Sequence, residues 1–228
     1  TADTPGALPG KTAPTSTAIA PAVPASPTES FTNFENQNIA VKVSNKGLGL
    51  TEVDLKKFIN KEEKLVRVSQ GEMSGLYELR VDGRAVYFNT NKESENRLVG
   101  TFENGDYKIV RTLNFSDGYN VQSEVKITAK SDKIPKVSIL ISEKIHQAES
   151  KSWLFPSYDH QDFNVVDGKT SHLVNFSNAS SNVTQDFNPV SVAGISSQYF
   201  TTSFLDQSSL LPSAHVQADI ASRNAVLE

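Results

Sequence analysis

The chain contains no cysteine. That removes disulfide staples, thiolate metal sites and thiol nucleophiles together, although a compartment that permits disulfides does not require them. Methionine and tryptophan occur once each. No run approaches the roughly 18 apolar residues of a membrane-spanning helix, and the longest apolar stretches, such as Val137 to Ile141, have the length of a strand. Basic runs are missing too. Lys and Arg total 22 against 26 Asp and Glu, a formal net charge of −4. The sequence therefore carries no electrostatic footprint for nucleic acid and no cationic cluster of the kind that holds a peripheral protein on anionic lipid. No signal-peptide pattern is visible: Thr1 leads straight into a polar low-complexity tract, as in a piece excised from a longer protein.

What is present falls into two parts. Residues 1–30 alternate Pro, Ala, Thr, Ser and Gly and hold six of the ten prolines. Such a tract cannot bury enough apolar surface to offset the entropy of ordering it, so a flexible, disordered N-terminal linker is expected. Residues 31–228 have the composition of a folded domain and are dominated by period-2 alternation. Ile39, Val41 and Val43 alternate with Ala40, Lys42 and Ser44, and Lys46-Gly47-Leu48-Gly49 supplies a turn. The segment from Leu50 to Phe58 fits a strand or a short helix, since Leu55, Phe58 and Ile59 also match helical spacing. Asp82-Gly83, Asn104-Gly105, Asp117-Gly118 and Asp167-Gly168 each sit between alternating runs, the pattern of hairpin turns. Tyr107, Ile109, Leu113 and Phe115 share one face of a strand, with Arg111 the exception. Val121, Val125 and Ile127 share another, beside Ser123. The best helix signal is Ser208 to Val216, and Ala214–Val226 adds some helical propensity. About ten strands at such spacings predict a sandwich or barrel.

Residues able to carry chemistry are sparse. The four histidines, His146, His160, His172 and His215, lack the spacing that puts two ligands on one metal. Tyr158-Asp159-His160-Gln161-Asp162 is the nearest thing to a constellation, but neighbours on an extended strand point to opposite faces. A solvated loop is the simpler expectation. There is no nucleophile elbow, phosphate loop or dinucleotide fingerprint. No catalytic residue, metal site or cofactor is expected. Trp153, Phe155 and Tyr158, with His160, are candidates for lining a groove or interaction surface, against the alternative of a core anchor followed by a rim residue.

Gly194-Ile195-Ser196-Ser197-Gln198-Tyr199-Phe200, continued by Thr201 to Leu205, resembles a motif in the later part of the large periplasmic domain of the bacterial membrane-protein insertase family YidC. The hairpin corner Asn45-Lys46-Gly47 is similar to that family's first turn. So is Val110-Arg111-Thr112-Leu113-Asn114-Phe115 with the following Asp117-Gly118-Tyr119, and the Pro-rich leader looks like the family's spacer. Departures are Val192, where the family often has an aromatic residue, and Asp206, where it has proline. The resemblance implies a mainly β fold, a β-supersandwich of the galactose-mutarotase-like kind, with little helix. It further implies a place on the periplasmic side of the inner membrane, in a membrane-embedded parent protein. Partners would be Sec translocon subunits of the SecDF type and nascent membrane proteins. In this picture Gly194, Gln198, Tyr199 and Phe200 are structural, the module is non-catalytic, and the C-terminal end of the sandwich lies beyond Glu228. A sugar-binding or carbohydrate-active sandwich, with Glu143, His146 and His160 as remote candidates, and a surface adhesin domain are the rival expectations.

Overall fold

The alternation beyond residue 30 resolves into eighteen strands, and no helix, among the described residues of the computed structural model, which are 27–60, 62–69, 74–146 and 160–228. Strands β1 (Phe31–Glu35), β2 (Ile39–Ser44), β3 (Leu50–Ile59) and β4 (Leu65–Ser69) form an antiparallel meander, the first sheet. A short hairpin follows, β5 (Glu78–Val81) and β6 (Arg84–Ala85). Its turn residues Asp82 and Gly83 have φ of 51° and 74°, the left-handed pair that matches the twist of a two-residue hairpin. Next come β7 (Asn89–Ser94), β8 (Arg97–Glu103), β9 (Tyr107–Phe115) and β10 (Val121–Ala129), a second meander and the second sheet.

The remaining sheets are assembled from strands distant in sequence. These are β11 (Val137–Lys144), β12 (Asp162–Asp167), β13 (Thr170–Asn175), β14 (Val183–Phe187), β15 (Val190–Ser196), β16 (Thr201–Leu205), β17 (Ala214–Asp219) and β18 (Asn224–Leu227). The third sheet runs β14-β17-β18-β11-β5-β6 and the fourth β13-β12-β15-β16. Strand β11 thus pairs with β18 on one side and β5 on the other.

The choice left open between strand and helix for Leu50 to Phe58 resolves to strand, and the helix expected from Ser208 gives way. Leu50–Ile59 is a strand throughout, its register against β2 and β4 broken by irregularities. Leu55 is buried, but Phe58 and Ile59 are exposed, so the helical spacing does not mark a core stripe. Ser208 to Ser213 is irregular, and Ala214–Leu227 is the hairpin of β17 and β18. Alanine favours helix only weakly. Here Ala214, Val216, Ala218, Ala225 and Leu227 form a buried period-2 row between β14 and β11. Burial of that row and a complete hydrogen-bond ladder outweigh local propensity.

Buried residues of all four sheets belong to one cluster, among them Val41, Ile109, Val216 and Phe163. The ring of Phe34 in β1 stacks on Phe115 in β9 at 4.2 Å. The odd member of the β9 face, Arg111, is 1% exposed. Its Nη1 donates to the carbonyls of Gly47 (2.6 Å) and Tyr77 (2.8 Å), and its Nε to Ser123 Oγ at 3.0 Å. Burial pushes its pKa down to about 10, so it stays charged at neutral pH. One guanidinium thereby ties the second sheet to the β2–β3 turn and to the approach to β5.

Candidate functional site

Three turns far apart in sequence meet at one place. The β3–β4 hairpin turns at Asn60, whose Oδ1 accepts the backbone N–H groups of Glu62 and Lys64. The β9–β10 turn is closed by Ser116, whose Oγ donates to the Asn120 carbonyl. The β15–β16 turn is closed by the Ser197 N–H on the Phe200 carbonyl at 2.8 Å. Phe58, near the end of β3, lies 6.3 Å from the Tyr119 ring and 5.5 Å, edge to face, from the Phe200 ring. Tyr119 is about half exposed, Phe58 is 43% exposed and Tyr199 78%. Ile59 and Leu65, paired across the hairpin, are also exposed. Singly exposed apolar residues are ordinary; several converging from three turns form a surface that favours contact with another apolar body.

A cleft of about 490 Å³ adjoins this surface through the β9–β10 turn. Phe34, Ile39, Val41 and Phe115 give its apolar floor, and Glu35, Glu95 and Asp117 part of its rim. The turn is held in place from the first sheet. Asn36 Nδ2 donates to the carbonyls of Ser116 (2.7 Å) and Gly118 (3.0 Å), and Asn38 Nδ2 to that of Asp117. Side-chain amides bonded to backbone on two sides fix the cleft's shape without any regular pairing between the two sheets.

The residues singled out by sequence divide differently. Trp153, Phe155 and Tyr158 lie outside the described residues. His160 is exposed, its Nε2 3.7 Å from the buried carboxylate of Asp162. Gly194 is buried in β15, where an added Cβ would stand 2.7 Å from both Ser203 Cβ and the Thr202 carbonyl oxygen. It is there because β16 approaches too closely for a side chain. Gln198 and Tyr199 instead face solvent at the turn, while Phe200 packs partly against the core. Spacing alone could not bring Phe58, Tyr119 and Phe200 together. The one local signal was Phe58-Ile59, two apolar residues following Lys56-Lys57 in a polar stretch.

Glu143 and His146 do converge, around Gln161. Gln161 is buried, and its Nε2 donates to Glu143 Oε1 (3.0 Å) and the Lys144 carbonyl (2.9 Å). Its Oε1 accepts the His146 N–H at 2.8 Å, and its own N–H donates to Ser177 Oγ. One amide therefore clamps the end of β11 to the start of β12. Burial raises the Glu143 pKa above the ordinary carboxylate value of 4.5, against smaller opposing effects of the Gln161 bond and of His146. A carboxyl with a raised folded-state pKa contributes stability that is full below its unfolded value and lost as pH rises through the folded value. Glu143→Gln, neutral at every pH and able to keep the Gln161 bond, is thus expected to melt higher than the native chain at neutral pH. The gap should close as pH falls below 4.5. Thermal melts of both proteins across this range check it, and a gap independent of pH would contradict it.

Among the described residues no group of three or more His, Asp or Glu side chains is placed to hold a metal ion. His172 stands against the Phe187 ring at 5.0 Å, and His215 Nδ1 lies 2.7 Å from Asp186 Oδ1.

No family model matches the chain, and no curated protein matches it. Solved structures do. A galactose mutarotase-like protein from Lactobacillus casei ATCC 334 superposes with a TM-score of 0.59 at 11% identity, over 87% of this chain and 86% of that one. A galactose mutarotase related enzyme from Lactobacillus acidophilus gives 0.49 at 9% identity, over 87% and 84%. The fold is a galactose-mutarotase-like β-supersandwich. At such identity the likeness speaks to architecture and to no activity.

Proposed function

We propose that this chain is a non-catalytic periplasmic accessory module of a YidC-type insertase. In this reading it supports insertion and folding of inner-membrane proteins by touching Sec translocon subunits of the SecDF type and nascent membrane proteins. The observation that carries the reading is the exposed turn Gln198-Tyr199-Phe200. The residues that resemble the insertase family are also those that expose Tyr199 and set its neighbour Phe200 against Phe58, itself near Tyr119. The supersandwich fold is the architecture that the resemblance implies. An apolar surface built from rigid turns suits transient contact with extended apolar segments, because its rings are already positioned and little entropy is lost on binding.

The test is direct binding of a fluorescent apolar peptide, with the composition of a nascent transmembrane segment, and of purified SecDF-type subunits. The double variant Phe58→Ser, Tyr199→Ser should weaken binding about tenfold or more, as expected when aromatic anchors are lost. Its melting temperature should fall by no more than a few degrees, since Tyr199 is solvated and Phe58, 43% exposed, rests on the Tyr119 and Phe200 rings outside the buried core. Equal binding by native and variant chains would sink this use of the surface.

The convergence of Glu143 and His146 on Gln161 favours one second reading, a sugar-binding sandwich. Calorimetric titration with a hexose panel separates the two. Saturable heat that disappears in Glu143→Gln would support the sugar reading and count against the first.

A further inference from the structure

Among the described residues, strand β10 is an open edge of the second sheet. It pairs with β9 over nine residues without a register shift, from Val121 opposite Phe115 to Ala129 opposite Tyr107, and with no other strand among the described residues. The other edge strands of the four sheets have six residues or fewer. A long, regular edge presents a row of unpaired backbone donors and acceptors, which proteins ordinarily interrupt or cover. The opposite edge of the same sheet is interrupted in this way: β7 slips register between Lys92 and Ser94.

The two faces of β10 differ. Val121, Ser123, Val125, Ile127 and Ala129 stand opposite the buried face of β9 and share its coreward side. Only Val121 and Val125 are half-buried there; Ile127 remains 43% exposed. The apolar row therefore overhangs the core. On the outer face lie Gln122, Glu124, Lys126 and Thr128, all exposed. A lone lysine on an edge would deter pairing, but this one is matched by Glu124.

The matching is symmetric about Val125. A two-fold axis normal to the sheet keeps every residue on its face and sets each against the one equally far on the other side of Val125 in the second copy. Glu124 then faces Lys126 of the second copy, twice. Ser123 faces Ile127, Gln122 faces Thr128, and Val121 faces Ala129. We infer that this chain binds a second copy of itself through β10, antiparallel about Val125, joining the two second sheets into one continuous sheet. The pairing completes nine residues of backbone ladder, neutralises two opposed charge pairs and extends the overhanging apolar row. It does not depend on the insertase reading.

The absence of native cysteine makes the test clean. Val125→Cys should oxidise to a disulfide-linked dimer, because position 125 meets itself. Gln122→Cys should not, since its copies would sit about 20 Å apart at 3.3 Å per residue. In equilibrium sedimentation the native chain should associate as concentration rises. Glu124→Lys and Lys126→Glu should each weaken association about tenfold by opposing like charges, and the double exchange should restore it. Both residues are solvated, so these variants stay folded even if the cysteine at 125 disturbs the core. A native chain monomeric up to its solubility limit would overturn the inference. Cross-linking at 122 as readily as at 125, or a double exchange that rescues nothing, would do the same.

Discussion

Arg111→Ala is expected to destabilise the fold by about 3–5 kcal/mol, the sum of the Tyr77 carbonyl left without its donor, the Gly47 carbonyl left with the Leu79 N–H alone, and the cavity of a long side chain. For a chain of this size the melting temperature should fall roughly 10–15 °C. Burying a guanidinium has its own cost, reflected in the pKa lowered to about 10, and its removal returns part of the loss. The balance still favours arginine. Two short bonds to the Gly47 and Tyr77 carbonyls join segments that no strand pairing connects to β9. Arg111→Met isolates the terms: it fills most of the volume and buries no charge, yet takes the donor from the Tyr77 carbonyl and one of two donors from the Gly47 carbonyl. It should fall between the native chain and the alanine variant. Thermal and urea melts decide; an alanine variant melting within about 2 °C of the native chain would show the Tyr77 carbonyl to be satisfied by other means.

Gly47→Ala is expected to cost nearly as much, about 2–4 kcal/mol, from the other side of the same junction. Gly47 has a φ of 61°, a region in which a Cβ crowds its own backbone. Neighbours add to this strain. The added Cβ would stand 2.5 Å from Glu78 Cγ and 2.7 and 2.9 Å from the backbone O and N of Leu79. The Gly47 carbonyl also accepts both the Leu79 N–H (2.9 Å) and Arg111 Nη1 (2.6 Å). Any shift that relieves the clash loosens the arginine. Gly47→Ala combined with Arg111→Ala should therefore cost less than the two separately, because one contact cannot be lost twice. Gly105→Ala is the control: an added Cβ there meets nothing within 4 Å, and its melt should match the native one. Full additivity in the double variant would place the two residues in independent neighbourhoods.

Much of the architecture was legible in the chain itself. Alternating side chains marked β2, β9, β11 and β12 as strands, and the Asp-Gly and Asn-Gly pairs marked the hairpin turns. Both signals are local, arising from side-chain period and from the φ that a turn residue tolerates. The segment 208–226 misled for the same reason. Alanine's preference is local, whereas the row of Ala214, Val216 and Ala218 becomes decisive only when β14 and β18 lie alongside. The candidate site was nearly invisible. Phe58, Tyr119 and Phe200 are separated by long stretches and obey no spacing rule; they meet because the first, second and fourth sheets bring their turns to one place. Within the Gly194–Phe200 motif, Gly194 is structural through the close approach of β16. Tyr199, five residues later, is turned outward.

The amino-acid order by itself determined that this protein would be built of short antiparallel hairpins, free of disulfides, with a net charge of −4. Those properties follow from composition and from nearest neighbours along the chain. Only the tertiary structure decided that Arg111 would be a buried link, that Glu143 and His146 would share Gln161, and that three aromatic rings would form one surface. Such outcomes depend on which sheets stack and in what register. That choice is settled by the free energy of burying the whole core at once, and no window of sequence contains it.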